Sequence, residues 1–142
     1  KGGGYRIPEH EALDKIFGYC VGLDMTRRDM QSRFKDLGRP WDMAKGFDRS
    51  APMSEIHTAD SIGHFSSGSV TLAVNDEVRQ KGDVNQLIWN VEETISYLSG
   101  LIELHPGDII MTGTPSGVSA VVKGDHLVGR VDRLTDLNIT ID

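Results

Sequence analysis

The chain has 142 residues, 38% of them hydrophobic and 25% charged, enough apolar material for one globular domain with a buried core. Its formal net charge of −6 argues against nucleic acid or an anionic membrane as partner, since both select for clustered Lys and Arg, and points to a small solute. No run approaches the roughly 18 apolar residues of a membrane span, and a single cysteine, Cys20, permits neither an intrachain disulfide nor a cysteine-built zinc site, which suits a reducing cytoplasm.

Lys1 opens a glycine-rich stretch that runs into Ile7-Pro8-Glu9-His10 and reads as an interior loop. Residues 16–24 are mostly apolar and rich in strand formers, which predicts a buried strand ending on Asp24. Thr26 with Asp29 three residues on is a helix-start pattern. Met30, Phe34 and Leu37 follow at helical spacing, so a helix is expected over 26–37, closed by Gly38. From Gly38 through Ser54 no period of either kind is sustained, and an ordered loop is expected.

Residues 69–74 and 77–80 alternate apolar with polar around Asn75-Asp76, a pair that tolerates positive φ, which predicts a β-hairpin. Asn90 and Glu93 predict a capped helix with Val91, Ile95 and Leu98 on one face and Gly100 at its end. A turn at 104–108 leads to an expected strand, 109–112, and then to the loop Gly113-Thr114-Pro115-Ser116-Gly117. Two more strands are expected at 126–131 and 137–141, giving a strand-rich, mixed α+β domain over residues 1–142.

Several residues have chemistry to offer. Asp24, at the end of a strand and beside a helix start, suits a hard divalent cation, although carboxylates at such places are more often caps or solvated groups. Arg28 and Gln31 share a helix face and are able to project toward whatever Asp24 binds; a solvated face is the commoner case. Lys45 is a lone cation between aromatics and next to Gly46, placed to stabilise an oxyanion or enolate, or else to pair with Asp42 or Asp48 on the surface. The loop 112–117 offers N–H groups and hydroxyls to a carboxylate, but lacks the Gly-Lys-Ser/Thr ending of a phosphate loop. The five histidines show no metal-ligand spacing, and Ser116 and Ser119 lack a nucleophile elbow.

The order of these blocks resembles the fumarylacetoacetate hydrolase family. Gly18 to Gln31 resembles its tyrosine strand, aspartate and Arg-Asp-x-Gln segment. Trp41 to Phe47, Val74 to Gln80, Ile95 to Ser99, Pro106 to Ile110 and Thr112 to Val118 follow in sequence. Gly38-Arg39-Pro40-Trp41 and Lys45-Gly46-Phe47-Asp48 are most similar to the fumarylpyruvate and acylpyruvate hydrolase branch. The resemblance implies a β-roll fold, usually a homodimer, and a Mg²⁺ or Mn²⁺ ion held by a Glu-x-Glu pair and one aspartate, matched by Asp24. It also implies an active-site lysine, matched by Lys45, and site residues matched by Arg28, Gln31 and Thr114.

The implied activity is hydrolysis of a C–C bond in fumarylpyruvate or a related diketo acid. Oxaloacetate decarboxylation or a hydratase or isomerase step on the same scaffold is an alternative, and an inactive fragment that keeps only fold and dimer surface is another. Neither the family's Glu-x-Glu pair nor its His–Glu general-base pair stands in its expected place. Glu9 and Glu11 follow Pro8 outside the metal strand and are rejected as ligands, so an N-terminal part of the catalytic domain is expected to be missing. Asp76 and Ser54 depart from family glycine and Gly-Pro positions and affect turns.

Overall fold

A computed structural model describes residues Lys1–Asp142. After Pro8, whose fixed φ suits the residue before a first turn, α1 (Glu9–Ala12) runs into a 3-10 turn (Leu13–Lys15). β1 (Gly18–Tyr19), α2 (Arg28–Asp36), α3 (Asp42–Lys45), β2 (His57–Thr58) and α4 (Ala59–Ile62) follow. The hairpin β3 (Ser69–Val74) and β4 (Glu77–Asp83), a 3-10 turn (Val84–Gln86), α5 (Val91–Leu101), β5 (His126–Val131) and β6 (Leu137–Thr140) complete the chain.

The strands form an antiparallel pair, β1-β2, and a four-stranded antiparallel sheet in the order β4-β3-β5-β6. Asn75 (φ 49°) and Asp76 (φ 66°) make the hairpin turn, and a bulge beside Leu72 sets the register beyond it. The sheet is buried on both faces, by Val74, Leu127 and Leu137 on one and by Ala73 and Val128 on the other, with Leu127 at 1% exposure. A second cluster, Ile7, Ala12, Ile95 and Leu104, packs α1 against α5. Asn90 caps α5 through a reciprocal bond with Glu93, both at 2.8 Å.

Five expectations need correction. The long strand over 16–24 reduces to β1 and a lone bridge between Gly22 and Met53. Residues 21–25 do run antiparallel to 50–54, through Leu23 N–H to Pro52 O (3.1 Å), Met25 N–H to Ser50 O (2.9 Å) and Ser54 N–H to Val21 O (2.9 Å). Pro52 has no N–H to return, so the ladder is interrupted. α2 begins at Arg28 and its N-cap is Arg27, with no side-chain cap. Thr26 does not cap it, because its hydroxyl turns back to the Asp24 carbonyl at 3.2 Å.

The loop after Gly38 contains α3, where Trp41 O accepts from Ala44 N (2.8 Å) and Lys45 N (3.2 Å); one turn is too short to show a period. α5 passes Gly100 and ends at Leu101. Residues 109–112 form no strand, since no strand of this chain pairs with them. Ile109 and Met111 are exposed while Ile110 packs on the α1–α5 cluster.

The fold lays the segment leading into the site against an inner strand of the large sheet. Gly129, on β5, lies against Val21 and Leu23: a Cβ there would stand 3.1 Å from Val21 Cγ1. The chain therefore passes close to β5 at Val21–Leu23, just before Asp24.

Candidate active site

Asp24 and Lys45, 21 residues apart in sequence, meet at 2.7 Å between Lys45 Nζ and Asp24 Oδ2. Main-chain bonds hold both in place. Arg27 N–H donates to Ala44 O (3.0 Å) and Met25 N–H to Ser50 O (2.9 Å), so the segment before α2 is tied to α3 and the loop beyond it. Ala44 is fully buried, and the Arg27 guanidinium lies 4.4 Å over the Phe47 ring. Lys45 thus pairs with Asp24 and not with Asp42 or Asp48.

Lys45 Nζ also donates to Thr26 Oγ1 at 2.9 Å. An ammonium has three donors and no acceptor, so two are engaged and one is left for a ligand. On α2, Arg28 Nη1 donates to Gln31 Oε1 at 2.6 Å. Arginine only donates, which orients the Gln31 amide with its oxygen toward Arg28 and its NH₂ outward. The pair therefore presents only N–H groups to solvent, a surface that suits an anion such as a carboxylate.

Thr114 is not brought into contact with this group. Its loop is fastened to β4: Gln80 Nε2 donates to Pro115 O (3.3 Å), and Gly117 (φ 103°) lies so close to the Arg79 carbonyl that a side chain there would strike it. The two regions approach through Met111, whose Sδ and Cε would stand 3.4 Å from a Cβ at Gly22.

A divalent ion finds one ligand here. Lys45 takes Asp24 Oδ2 and leaves Oδ1 without a protein donor, yet no group of three His, Cys, Asp or Glu side chains gathers anywhere to complete a site. Asp24 fits as one oxygen of a magnesium-type shell, which ordinarily adds waters and substrate oxygens, and the chain's own residues do not fill the rest. Glu9 and Glu11 sit on α1, where Glu11 lies 3.7 Å from His10.

Other polar groups are occupied locally. His57 Nε2 lies 2.8 Å from Thr135 Oγ1, and the Tyr19 hydroxyl lies 2.6 Å from His64 Nδ1. Burial, with the Glu92 charge adding to it, pushes the Tyr19 phenol up to about 12. Burial likewise raises the Cys20 thiol. Thr26 is the site residue the sequence concealed, because a hydroxyl three positions before an acidic residue reads as a helix cap. Its place two residues after Asp24 is the only local hint.

The family model described as fumarylacetoacetate (FAA) hydrolase C-terminal matches residues 3–142. A fumarylpyruvate hydrolase of Ralstonia sp is 44% identical over 138 residues, covering 97% of this chain and 71% of the relative. A mitochondrial oxaloacetate tautomerase of Homo sapiens is 38% identical over 136 residues, covering 96% and 62%. The crystal structure of fumarylpyruvate hydrolase from Pseudomonas aeruginosa, in complex with Mn²⁺ and pyruvate, superposes with a TM-score of 0.97 at 48% identity, covering 99% of this chain and 60% of that one. The chain therefore spans between 60% and 71% of the length of these relatives. No helix is long and apolar enough to cross a membrane.

Proposed function

Because the chain belongs to the fumarylacetoacetate hydrolase family, we propose that it carries part of the active site of an enzyme that hydrolyses a C–C bond in fumarylpyruvate or a related acylpyruvate, releasing pyruvate and a carboxylic acid. The observation that carries this reading is the 2.7 Å meeting of Lys45 with Asp24, with the donors of Arg28 and Gln31 on α2, the helix that follows Asp24 in the chain. The fumarylpyruvate hydrolases among its relatives support it.

An acylpyruvate has a 2-oxo acid group and a second carbonyl two carbons away. When water adds to the distal carbonyl and the C–C bond breaks, the bonding pair passes to the pyruvate fragment as an enolate, which then takes up a proton. Lys45 is the group for that enolate: with two N–H groups held, its third is directed to the developing negative oxygen. Arg28 and Gln31 bind the substrate carboxylate through their remaining donors and set its orientation. Thr114 is assigned a supporting contact with the substrate from the neighbouring loop. A bound Mg²⁺ or Mn²⁺, held in part by Asp24, supplies Lewis-acid charge to the 2-oxo acid. A homodimer belongs to the same proposal.

A second reading, proton transfer on the same enolate without bond cleavage, is favoured by the oxaloacetate tautomerases at 36–38% identity. Enolic fumarylpyruvate absorbs in the ultraviolet, so the purified native-length protein is added to it with Mg²⁺ or Mn²⁺ and then with EDTA. Metal-dependent decay that EDTA stops is the expected result. No decay with either ion would remove fumarylpyruvate as substrate.

A further inference from the structure

Thr26 is the second acceptor of the Lys45 ammonium, and no role in the reaction accounts for it. The direction of its bonds is fixed by chemistry. Lysine only donates, so Thr26 Oγ1 accepts from Nζ at 2.9 Å, and its single proton goes to the Asp24 carbonyl at 3.2 Å. A threonine side chain has few χ1 options, which steadies the oxygen. The backbone on either side is clamped as well, by Met25 N–H to Ser50 O and Arg27 N–H to Ala44 O.

The hydroxyl is not needed to start the helix, because α2 begins at Arg28 without a side-chain cap. With Asp24 as its only acceptor, the ammonium would be able to turn about the Nζ–Oδ2 line. A second acceptor from a fixed direction removes that freedom and determines where the third N–H points. We infer that Thr26 is a positioning residue that aims the Lys45 ammonium at the reacting oxygen, an inference that rests on the role given to Lys45 above.

The test reads Lys45 directly, so that it stands apart from the activity. The native-length protein is acylated with a trace of acetic anhydride at fixed pH, and the labelling of Lys45 relative to exposed Lys123 is measured by peptide mass spectrometry. Losing one charge-assisted bond in Thr26→Val should raise that ratio about tenfold, and Thr26→Ser, which keeps the oxygen, should return it to the wild-type value. Turnover should follow the same pattern, with kcat reduced about tenfold in Thr26→Val, KM changed by less than about twofold, and both restored in Thr26→Ser.

An unchanged labelling ratio in Thr26→Val, or a Thr26→Ser variant that behaves like it, overturns the inference. If Thr26→Val does not fold by circular dichroism, Thr26→Ala is judged by the same ratio. If the wild type does not turn over acylpyruvates, the proposed reaction and the aiming role fall with it, and the labelling ratio alone decides whether Thr26 holds the Lys45 ammonium.

Discussion

Replacing Lys45 with methionine separates what the side chain does for the fold from what it does for the reaction. The Lys45 and Asp24 side chains are 34% and 40% exposed, so their ion pair is well screened. At 2.7 Å the Coulomb attraction in a water-like medium is about 1.5 kcal/mol. Holding two side chains in one geometry offsets most of it, and such pairs contribute roughly 0.2–1 kcal/mol. The backbone of α3 is held independently by the Arg27–Ala44 bond and by buried Ala44, and methionine keeps an apolar stem of similar length. Lys45→Met should therefore lower stability by no more than about 1 kcal/mol in urea denaturation. Turnover is a different matter, because removing a preorganised group at a developing oxyanion typically costs about 10²–10³ in kcat. Urea titration and initial rates on the same preparation give both quantities. Near-normal turnover would refute the catalytic assignment, and a stability loss of several kcal/mol with turnover falling in proportion would make Lys45 a structural residue.

Leu127, 1% exposed on β5, should cost about 2–5 kcal/mol when changed to alanine, measured by denaturant midpoint; a loss below that range would mean that the sheet is not the core. Asn90→Ala should lower stability by about 1 kcal/mol through loss of the α5 cap, with Asn90→Asp close to neutral. For Tyr19 the folded-state phenol is raised to about 12 from an ordinary 10.0, so its contribution is fully present below pH 10 and is lost as pH rises through 12; Tyr19→Phe should flatten that alkaline decline. Asp125 behaves in the opposite sense. Hydrogen bonds from the Val122 N–H and the Asn75 amide hold its carboxyl below the usual range, so its contribution is lost as pH falls through that lowered value, and Asp125→Asn should reduce the acid sensitivity.

What the sequence made legible was what its neighbours along the chain determine. Asn75-Asp76 needs positive φ at two adjacent residues and is therefore readable as a hairpin turn, and Asn90 with Glu93 forms a cap within a single turn. Residues 109–112 are as apolar as a strand, but pairing depends on a neighbour that no local pattern can supply. α3 is a single turn, below the length at which periodicity appears. The meeting of Asp24 with Lys45 spans 21 residues, and only the resemblance suggested it; the side chains alone pointed equally to Asp42 or Asp48. Thr26 reads as a cap for a physical reason, since a hydroxyl before a helix serves a cap and an ammonium equally well. Thr114 lies in a loop fastened to β4, so its part in the site rests on the family's pattern.

Loss of enol absorbance accompanies both hydrolysis and tautomerisation, so the most direct test of the central claim is the product. Pyruvate should be measured by an enzyme-coupled assay, and the carboxylic acid by chromatography, after fumarylpyruvate is incubated with the native-length protein and Mg²⁺ or Mn²⁺. The account predicts one pyruvate and one acid per substrate consumed, with Lys45→Met producing neither at an appreciable rate. Loss of the enol without pyruvate would contradict hydrolysis and make the site a tautomerase.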